Sequence, residues 1–250
     1  MSRNDHLIIP DWPAPSNVRA MQTTRQGGVS VSPYDSLNLG RHVGDSSLAV
    51  ERNRMLLNTV LPSEPVWLEQ VHGTVVADAD RAGCIPQADA CIARRGVCVV
   101  MTADCLPVLL CDKAGSVVAA VHAGWRGLAA GVIEATVLAM EVAPENLMAW
   151  LGPAISQPAF EVGVEVRAVF VDADPAAAAA FIPGENGKWL ADIYALARRR
   201  LNALGITRIY GGDRCTYRES DLFFSYRRDG VTGRMGTFIW LERPQPDARS

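Results

Sequence analysis

A predicted β-hairpin in the middle of the chain places the strongest constraint on the fold. Two apolar runs, Leu106–Cys111 and Ser116–Val121, flank the short connection Asp112–Gly115. Aliphatic runs separated by a glycine-containing turn are typical of antiparallel strand pairs, whose outer ends lie side by side. Cys105 precedes the first run and His122 follows the second. The hairpin is therefore expected to bring a thiol and an imidazole together at one edge of a sheet.

The rest of the chain alternates between strand and helix patterns in mixed order. Further strands are predicted at Val18–Thr24, Gly96–Met101, Leu147–Leu151, Ile206–Tyr210 and Thr237–Leu241. Helices are predicted after Asp45, from about Leu128 to Glu141, at Val162–Val171 and at Asp192–Leu204. Residues 77–95 and 225–236 are predicted to be loops. This order predicts an α+β or α/β fold, with helices outside a mixed, largely antiparallel sheet, in one domain over residues 1–250.

Composition excludes several classes of function. The net charge of −3 provides no basic field for nucleic acid or anionic membrane, and no apolar run approaches the roughly 20 residues of a membrane span. The N-terminal residues lack the apolar core of a signal peptide. Six cysteines without a CxxC pair predict reduced thiols in a cytoplasmic protein. Four of them are predicted to be small packing residues: Cys84, Cys91, Cys98 and Cys111.

The hairpin pair, together with His72, admits three interpretations. One thiolate and two imidazoles suit zinc, and three protein ligands leave the fourth position open, as in catalytic sites. Alternatively, Cys105 is the nucleophile of a thiol hydrolase, with His122 or His72 as its base and Asp104 orienting the imidazole. In the third interpretation the three residues have only structural roles. The polar residues clustered beside the pair favour a functional site: Thr102, Asp104, Trp125 and Arg126.

Three motifs surround these residues: QVHG at 70–73, TADCLPVLL at 102–110 and VHAGWRG at 121–127. In these motifs the chain resembles the YfiH family, also described as the polyphenol oxidoreductase laccase-domain family and as a purine nucleoside phosphorylase family. The resemblance extends to TTRQGGVS at 23–30, PYDSLNLGRHVGD at 33–45 and FFSYRRDGVTGR at 223–234. Nearly the whole chain is covered.

The resemblance implies a layered α/β/β/α-type fold and a zinc enzyme whose ligands are His72, Cys105 and His122. It implies phosphorolysis of adenosine, inosine, guanosine and methylthioadenosine, with adenosine deamination. Some members are associated with editing of peptidoglycan precursors. The laccase name suggests copper, but a multicopper oxidase needs roughly ten histidines and this chain has four. Copper is therefore expected only as a substituted metal or in an incidental polyphenol oxidase activity.

Phosphorolysis suggests further contacts, because a phosphate must be held while a purine leaves. Arginine matches two phosphate oxygens with its planar fork, so Arg54 and Arg126 are the predicted phosphate ligands. Arg227 and Arg228 are weaker candidates. Asp104, one of the predicted catalytic residues with the three metal ligands, is a candidate acid for the leaving base. Asn38 and His42 are predicted to contact ribose or base. The expected partners are a purine nucleoside and phosphate, and the expected oligomeric state is a monomer.

Overall fold

The computed structural model of the protein describes residues 6–83 and 85–242. Within that part of the chain the strands are β1 (Leu7–Ile8), β2 (Val18–Thr23), β3 (Val76–Asp78), β4 (Ala90–Ala93), β5 (Val97–Thr102), β6 (Leu106–Asp112), β7 (Val118–Ala123), β8 (Leu147–Leu151), β9 (Glu161–Val162), β10 (Phe181–Pro183), β11 (Trp189–Ala191), β12 (Ile209–Gly211) and β13 (Met235–Leu241). The helices are α1 (Ser47–Leu57), α2 (Trp125–Ala130), α3 (Val132–Met140), α4 (Val164–Ala173), α5 (Ile193–Ala203) and α6 (Tyr226–Asp229). Three short 3₁₀ helices lie at Pro144–Asn146, Gln157–Ala159 and Pro175–Ala180.

The described strands form three sheets. The largest has six strands in the order β12-β8-β6-β7-β4-β3, with parallel pairs at both edges and antiparallel pairs between them. A four-stranded antiparallel sheet has the order β1-β2-β13-β5, and a small antiparallel sheet has the order β10-β11-β9. The predicted hairpin is the β6–β7 pair, and Leu106 lies opposite Ala123 at its open end.

Alternation along the strands builds a layered core. In β6, Leu106, Val108 and Leu110 pack in the same cluster as residues of α2–α5, whereas Leu109 and Cys111 pack in the layer between the six-stranded and four-stranded sheets. Successive side chains of a strand point to opposite faces, so both faces of this sheet are covered. The other face of the four-stranded sheet packs with Leu57 of α1. The fold is therefore mixed α+β, with mostly antiparallel sheets between helices, as predicted.

Several local predictions were wrong. The helix expected over 128–141 is two helices, because Gly131 adopts a left-handed φ of +98° between α2 and α3. Residues 77–95 contain β4 and part of β3, and residues 225–236 contain α6. Cys84, predicted to be a packing residue, lies outside the described residues. None of the helices in the described part of the chain combines the length and apolar character that a membrane-crossing segment requires.

Candidate metal centre

Three side chains from separate parts of the chain converge at the open end of the hairpin. The ligand atoms of His72, Cys105 and His122 all lie within 4.8 Å of one another. Cys105 Sγ is 3.8 Å from His72 Nε2, and the two imidazole ring centroids are 4.7 Å apart. His122 is buried, Cys105 is half-buried and His72 is exposed. The group therefore has a buried base and a side that faces solvent.

The strand register explains why the hairpin pair meets. Cys105 immediately precedes β6, and His122 is the residue of β7 paired with Pro107. Val118 and Ala120 pack in the layer between the two larger sheets, and His122 shares their face because side chains alternate along the strand. The imidazole therefore lies between the two larger sheets, and His122 is within β7, whereas the sequence pattern placed it just after the second strand.

A carboxylate that the sequence analysis missed joins the two histidines. Asp89 Oδ1 is 2.8 Å from His122 Nδ1 and accepts a hydrogen bond from the backbone N–H of His72 at 2.9 Å. Its Oδ2 accepts from the N–H groups of Gly73 at 2.6 Å and Val71 at 3.2 Å. Asp89 is completely buried. No spacing motif marks this residue among the acidic residues of the segment 77–95.

The electrostatics of the group favour a charged thiol. Burial alone raises the pKa of Cys105, but the charge of His122 and hydrogen bonds from His122 and His72 outweigh it and bring the pKa to about 6. Burial also opposes the charged form of His122, yet Cys105 and Asp89 raise its pKa to about 9. The protein thus stabilises a thiolate beside an imidazolium, and both the metal and the nucleophile interpretations need that thiolate.

The donor set fits a zinc ion. Ligands at typical Zn–S and Zn–N distances in a tetrahedron lie about 3.6 Å apart, close to the 3.8 Å between Cys105 and His72. Gly124 supplies a second observation, because a Cβ at this position would lie 2.9 Å from His72 Cδ2 and 3.1 Å from Cys105 Sγ. The space against the ligands is therefore kept clear by the absence of a side chain.

Asp104 does not orient an imidazole, contrary to the prediction. Its Oδ1 accepts a hydrogen bond from the hydroxyl of Thr216 at 2.6 Å, and its Oδ2 accepts from the backbone N–H of Arg227 at 2.7 Å. Through these two bonds Asp104, which immediately precedes Cys105, is linked to residues more than a hundred positions further along the chain. The orienting contact belongs to Asp89 instead.

Asn38 has no hydrogen-bonding capacity left for a ribose or base. Its amide nitrogen donates to Gly40 O and Asp45 Oδ2, and its oxygen accepts from the N–H groups of Gly40 and Arg234. Two donors and two acceptor positions are all that an amide offers. The structure therefore corrects the predicted substrate contact, because Asn38 instead fixes the loop over 38–45 against Arg234.

Arg54 lies on α1 and is nearly buried. Its Nε and Nη2 donate to Leu39 O, and its guanidinium stacks on the ring of Trp67 at 3.6 Å from the centroid. Burial, with the charge of Arg41, lowers the pKa of Arg54 to about 10. The guanidinium is rigidly held, as a phosphate ligand requires, although part of its donor capacity is used by the backbone.

Two further basic side chains share this region. Partial burial lowers the pKa of His42, and the nearby charges of Arg234 and Arg54 lower it further. Burial lowers the pKa of Arg234, whereas the charges of Cys105 and Asp104 oppose that shift. The charges of Arg234 and Arg54 thus act on His42, and the charge of Cys105 acts on Arg234. We call His42, Arg54 and Arg234 the basic cluster; the sequence analysis missed Arg234.

The remaining predicted arginines are placed differently. Arg126 is exposed on α2 and stacks on Trp125 at 4.4 Å. Arg227 is also exposed and donates to Glu161 O. Arg228 holds backbone carbonyls of its own loop, those of Thr216, Tyr217 and Phe223. A phosphate role for Arg228 would require breaking these bonds.

The fold and site define a class: a layered α+β protein with a His-Cys-His centre beside a basic cluster. Comparison with known proteins places the chain more narrowly. Residues 19–242 match the family described as multi-copper polyphenol oxidoreductase laccase. The chain belongs to this laccase-like polyphenol oxidoreductase family, which includes the YfiH proteins.

Relatives across this family are similar over nearly their full length. The chain is 58% identical to Escherichia coli K12 purine nucleoside phosphorylase YfiH, over 94% of this chain and 98% of that protein. It is 54% identical to Pseudomonas aeruginosa purine nucleoside phosphorylase PA4543, with the same coverage. The crystal structure of Neisseria meningitidis protein NMB0706 matches with a TM-score of 0.94 at 53% identity, covering 96% of this chain and 100% of that chain.

Proposed function

We propose that this protein is a zinc-dependent purine nucleoside phosphorylase that acts on adenosine, inosine, guanosine and methylthioadenosine, and that it also deaminates adenosine. Relatives named purine nucleoside phosphorylase support an enzyme of this type. The observation that carries the proposal is the convergence of His72, Cys105 and His122 beside the basic cluster. The first group offers soft metal ligands, and the arginines of the basic cluster offer positive charge for an oxyanion.

His72, Cys105 and His122 would hold the metal, and its open side would face the substrate. A bound zinc ion supplies Lewis acidity and lowers the pKa of a coordinated water towards 7. The chain contributes the fixed positions of the three ligands. Asp89 sets the His122 orientation by engaging Nδ1, which leaves Nε2 of that ring for the centre.

The basic cluster would bind phosphate. Arginine forks bind phosphate oxygens in pairs, so the two arginines of this cluster are suited to holding a phosphate. Arg54 is fixed by Leu39 O and Trp67, and Arg234 is held by its bonds to Thr232 O and Gly233 O. We therefore propose that Arg54 and Arg234 bind the phosphate, with His42 at the edge of the site. Arg126 is the alternative phosphate ligand, and substitution of each arginine compares the two.

In the proposed phosphorolysis, a phosphate oxygen forms a bond to ribose C1′ while the bond from C1′ to purine N9 breaks. The electron pair of that bond passes to the purine, which takes up one proton. Asp104 is the candidate group for passing this proton to the purine, and the hydrogen bonds that it accepts from Thr216 and Arg227 keep the carboxyl group in a fixed position. In deamination, the oxygen of a water molecule bonds to purine C6 and the bond from C6 to the amino nitrogen breaks; one proton of the water leaves with the amino group as ammonia, and the other stays on the purine ring.

The test is product analysis with purified protein. Adenosine with phosphate is expected to give adenine and ribose 1-phosphate, and adenosine without phosphate is expected to give inosine and ammonia. His72→Ala, Cys105→Ala and His122→Ala should each reduce turnover by at least about 100-fold. His6→Ala is the matched control, because His6 contacts Gln26 outside the cluster. Full activity in all three variants would refute the assignment of the site.

A cysteine-dependent hydrolase or amidase, acting on peptidoglycan precursors, is the second candidate. The observation that favours it is the chain of contacts from Cys105 to His122 to Asp89, which has the nucleophile–base–carboxylate order of a catalytic triad. The two candidate functions predict different effects of a chelator and of a thiol-alkylating reagent on activity. Removal of metal by a chelator should abolish nucleoside turnover, whereas a thiol hydrolase should survive chelation and be lost on alkylation.

The proposal includes the cellular setting and the metal. We expect a cytoplasmic monomer, to be checked by cell fractionation and by light scattering of the purified protein. We expect zinc as the bound metal, with copper as a substitute, to be checked by elemental analysis of protein purified without added metal. A copper-loaded polyphenol oxidase would need oxidation of a phenol in the same preparation. Within the described residues the metal-type cluster has three donors, which supports one ion and not a multicopper relay.

A further inference from the structure

We infer that Asp89 is a positioning residue that fixes both imidazoles of the metal centre, an inference that rests on the proposed metal-bearing function. The evidence is geometric. One carboxylate contacts the ring of His122 and the backbone of the segment that carries His72. Nothing in the sequence pattern or in the relatives' names points to this residue.

The carboxylate uses both oxygens. Oδ1 is shared between the His122 ring at 2.8 Å and the His72 N–H at 2.9 Å, and Oδ2 accepts from the N–H groups of Val71 and Gly73. Three consecutive N–H groups therefore converge on one side chain. The backbone of Asp89 adds a further tie, because its carbonyl accepts from the N–H of His122 at 2.7 Å.

This arrangement sets the two histidines relative to each other. His72 has a left-handed φ of +62°, which a non-glycine residue rarely adopts without support. The three N–H bonds to Asp89 hold the segment in that conformation. The contact to Nδ1 fixes the plane and tautomer of the His122 ring, as partners of metal-bound histidines generally do. One side chain thus determines the distance between two ligands that are 50 positions apart.

The chain contains a matched carboxylate for comparison. Asp80 accepts hydrogen bonds from the N–H groups of Arg94, Arg95 and Gly96 at 2.8–3.0 Å, and its side chain is only 9% exposed. It therefore organises a loop as Asp89 does, but it has no contact with an imidazole among the described residues. Substitution of Asp80 therefore removes only the hydrogen bonds that support a loop, whereas substitution of Asp89 also removes the contact with the His122 imidazole of the metal centre.

The experiment compares Asp89→Asn and Asp80→Asn. In Asp89→Asn the amide nitrogen must face at least one backbone N–H donor, so the support of either the His72 segment or the His122 ring is lost. Zinc affinity is measured by competition with a chromogenic chelator, and the ligand geometry is measured by the visible absorption of the Co²⁺-substituted protein. Thermal melting of the metal-free proteins shows that each variant is folded.

The expected result is a 10- to 100-fold loss of zinc affinity in Asp89→Asn, with weaker Co²⁺ bands, and a change below about threefold in Asp80→Asn. Wild-type affinity in folded Asp89→Asn, or an equal loss in Asp80→Asn, would overturn the inference. If Asp89→Asn does not fold, the same measurements are made on Asp89→Glu. Its carboxylate lies about one bond further out, beyond the roughly 0.5 Å that a site tolerates, so at least a tenfold loss is expected and wild-type affinity would overturn the inference. Absence of zinc binding in the wild type would instead refute the proposed metal centre.

Discussion

The space beside Gly124 offers the sharpest test of the site, because one methyl group should remove the metal and leave the fold intact. In Gly124→Ala the new Cβ would lie 2.9 Å from His72 Cδ2 and 3.1 Å from Cys105 Sγ. Comfortable carbon contacts begin near 3.5 Å, so the His72 ring must withdraw by at least about 0.6 Å. Metal–ligand distances tolerate only about 0.2 Å, so at least one ligand is lost from the centre.

The magnitude follows from this displacement. Loss of an outer partner of a ligand typically costs 10- to 100-fold in metal affinity, and displacement of a ligand should cost more. We expect a loss of over about 100-fold, or about 2.7 kcal/mol. The backbone is not strained, because Gly124 has a φ of −62° that alanine adopts freely. Removal of a glycine from the unfolded chain contributes about 0.4–1 kcal/mol of stability, so the metal-free variant should melt near the wild-type temperature.

The assay measures zinc affinity by chelator competition, nucleoside turnover, and melting of the metal-free protein. The control is Gly83→Ala, since a Cβ at Gly83 would meet no atom of the described residues within 4 Å. Zinc bound to Gly124→Ala with wild-type affinity would refute the reasoning. A metal-free variant that unfolds at a much lower temperature would show that Gly124 supports the fold and not the centre.

Four further predictions can be checked separately. Iodoacetamide should modify Cys105 in metal-free protein and spare it in zinc-loaded protein, which peptide mass spectrometry measures. The reagent can reach Cys105 because this residue is half-buried, whereas four other cysteines are buried: Cys91, Cys98, Cys111 and Cys215. Arg234→Met should raise the KM for phosphate at least about 10-fold, the value of one charged hydrogen bond, and Arg126→Met should change it less; equal effects would contradict the assignment. Tyr194→Phe should lower the urea unfolding free energy by about 1–3 kcal/mol, because the buried hydroxyl bonds three backbone groups. Hydrogen bonds from backbone N–H groups outweigh burial and lower the pKa of Asp80. The folding stability that this carboxylate contributes is therefore fully present above its pKa in the unfolded chain and is lost as the pH falls through its pKa in the folded protein. Asp80→Asn should flatten the acid limb of the plot of unfolding free energy against pH.

Sequence reasoning succeeded where the determining interactions are local. The β6–β7 hairpin was predicted because its two apolar runs and its turn are contiguous, and its register then brings Cys105 and His122 together. The layered fold followed from the family resemblance and is matched by the structure. The break at Gly131 was missed because apolar spacing continues through it, whereas the left-handed φ of that residue ends α2.

The parts that could not be predicted depend on contacts between distant positions. Asp89 acquires its role only when β4 and β7 pair and bring it against His122. The backbone N–H of Arg234 donates to Asn38 across 196 positions, so no local pattern could place Arg234 in the basic cluster. Asp104 was predicted to orient an imidazole, but it bonds Thr216 across 112 positions instead. Residue chemistry left the metal site as one of three interpretations and the family resemblance favoured it, whereas only tertiary geometry identified Asp89 as the residue that supports it.

The backbone conformation at the centre supports the proposal that it has more than a structural role. Among the described residues, four other than glycine have positive φ angles: His72, Asp104, Glu141 and Asn186. Glu141 caps α3 and Asn186 lies in a turn before β11, where such angles are common. His72 and Asp104 instead lie at the centre, at +62° and +93°, and each such conformation costs about 1–3 kcal/mol. Glycine would relieve that strain at either position, but it would remove an imidazole or a carboxylate. These two strained positions support the proposal that the centre has a chemical role.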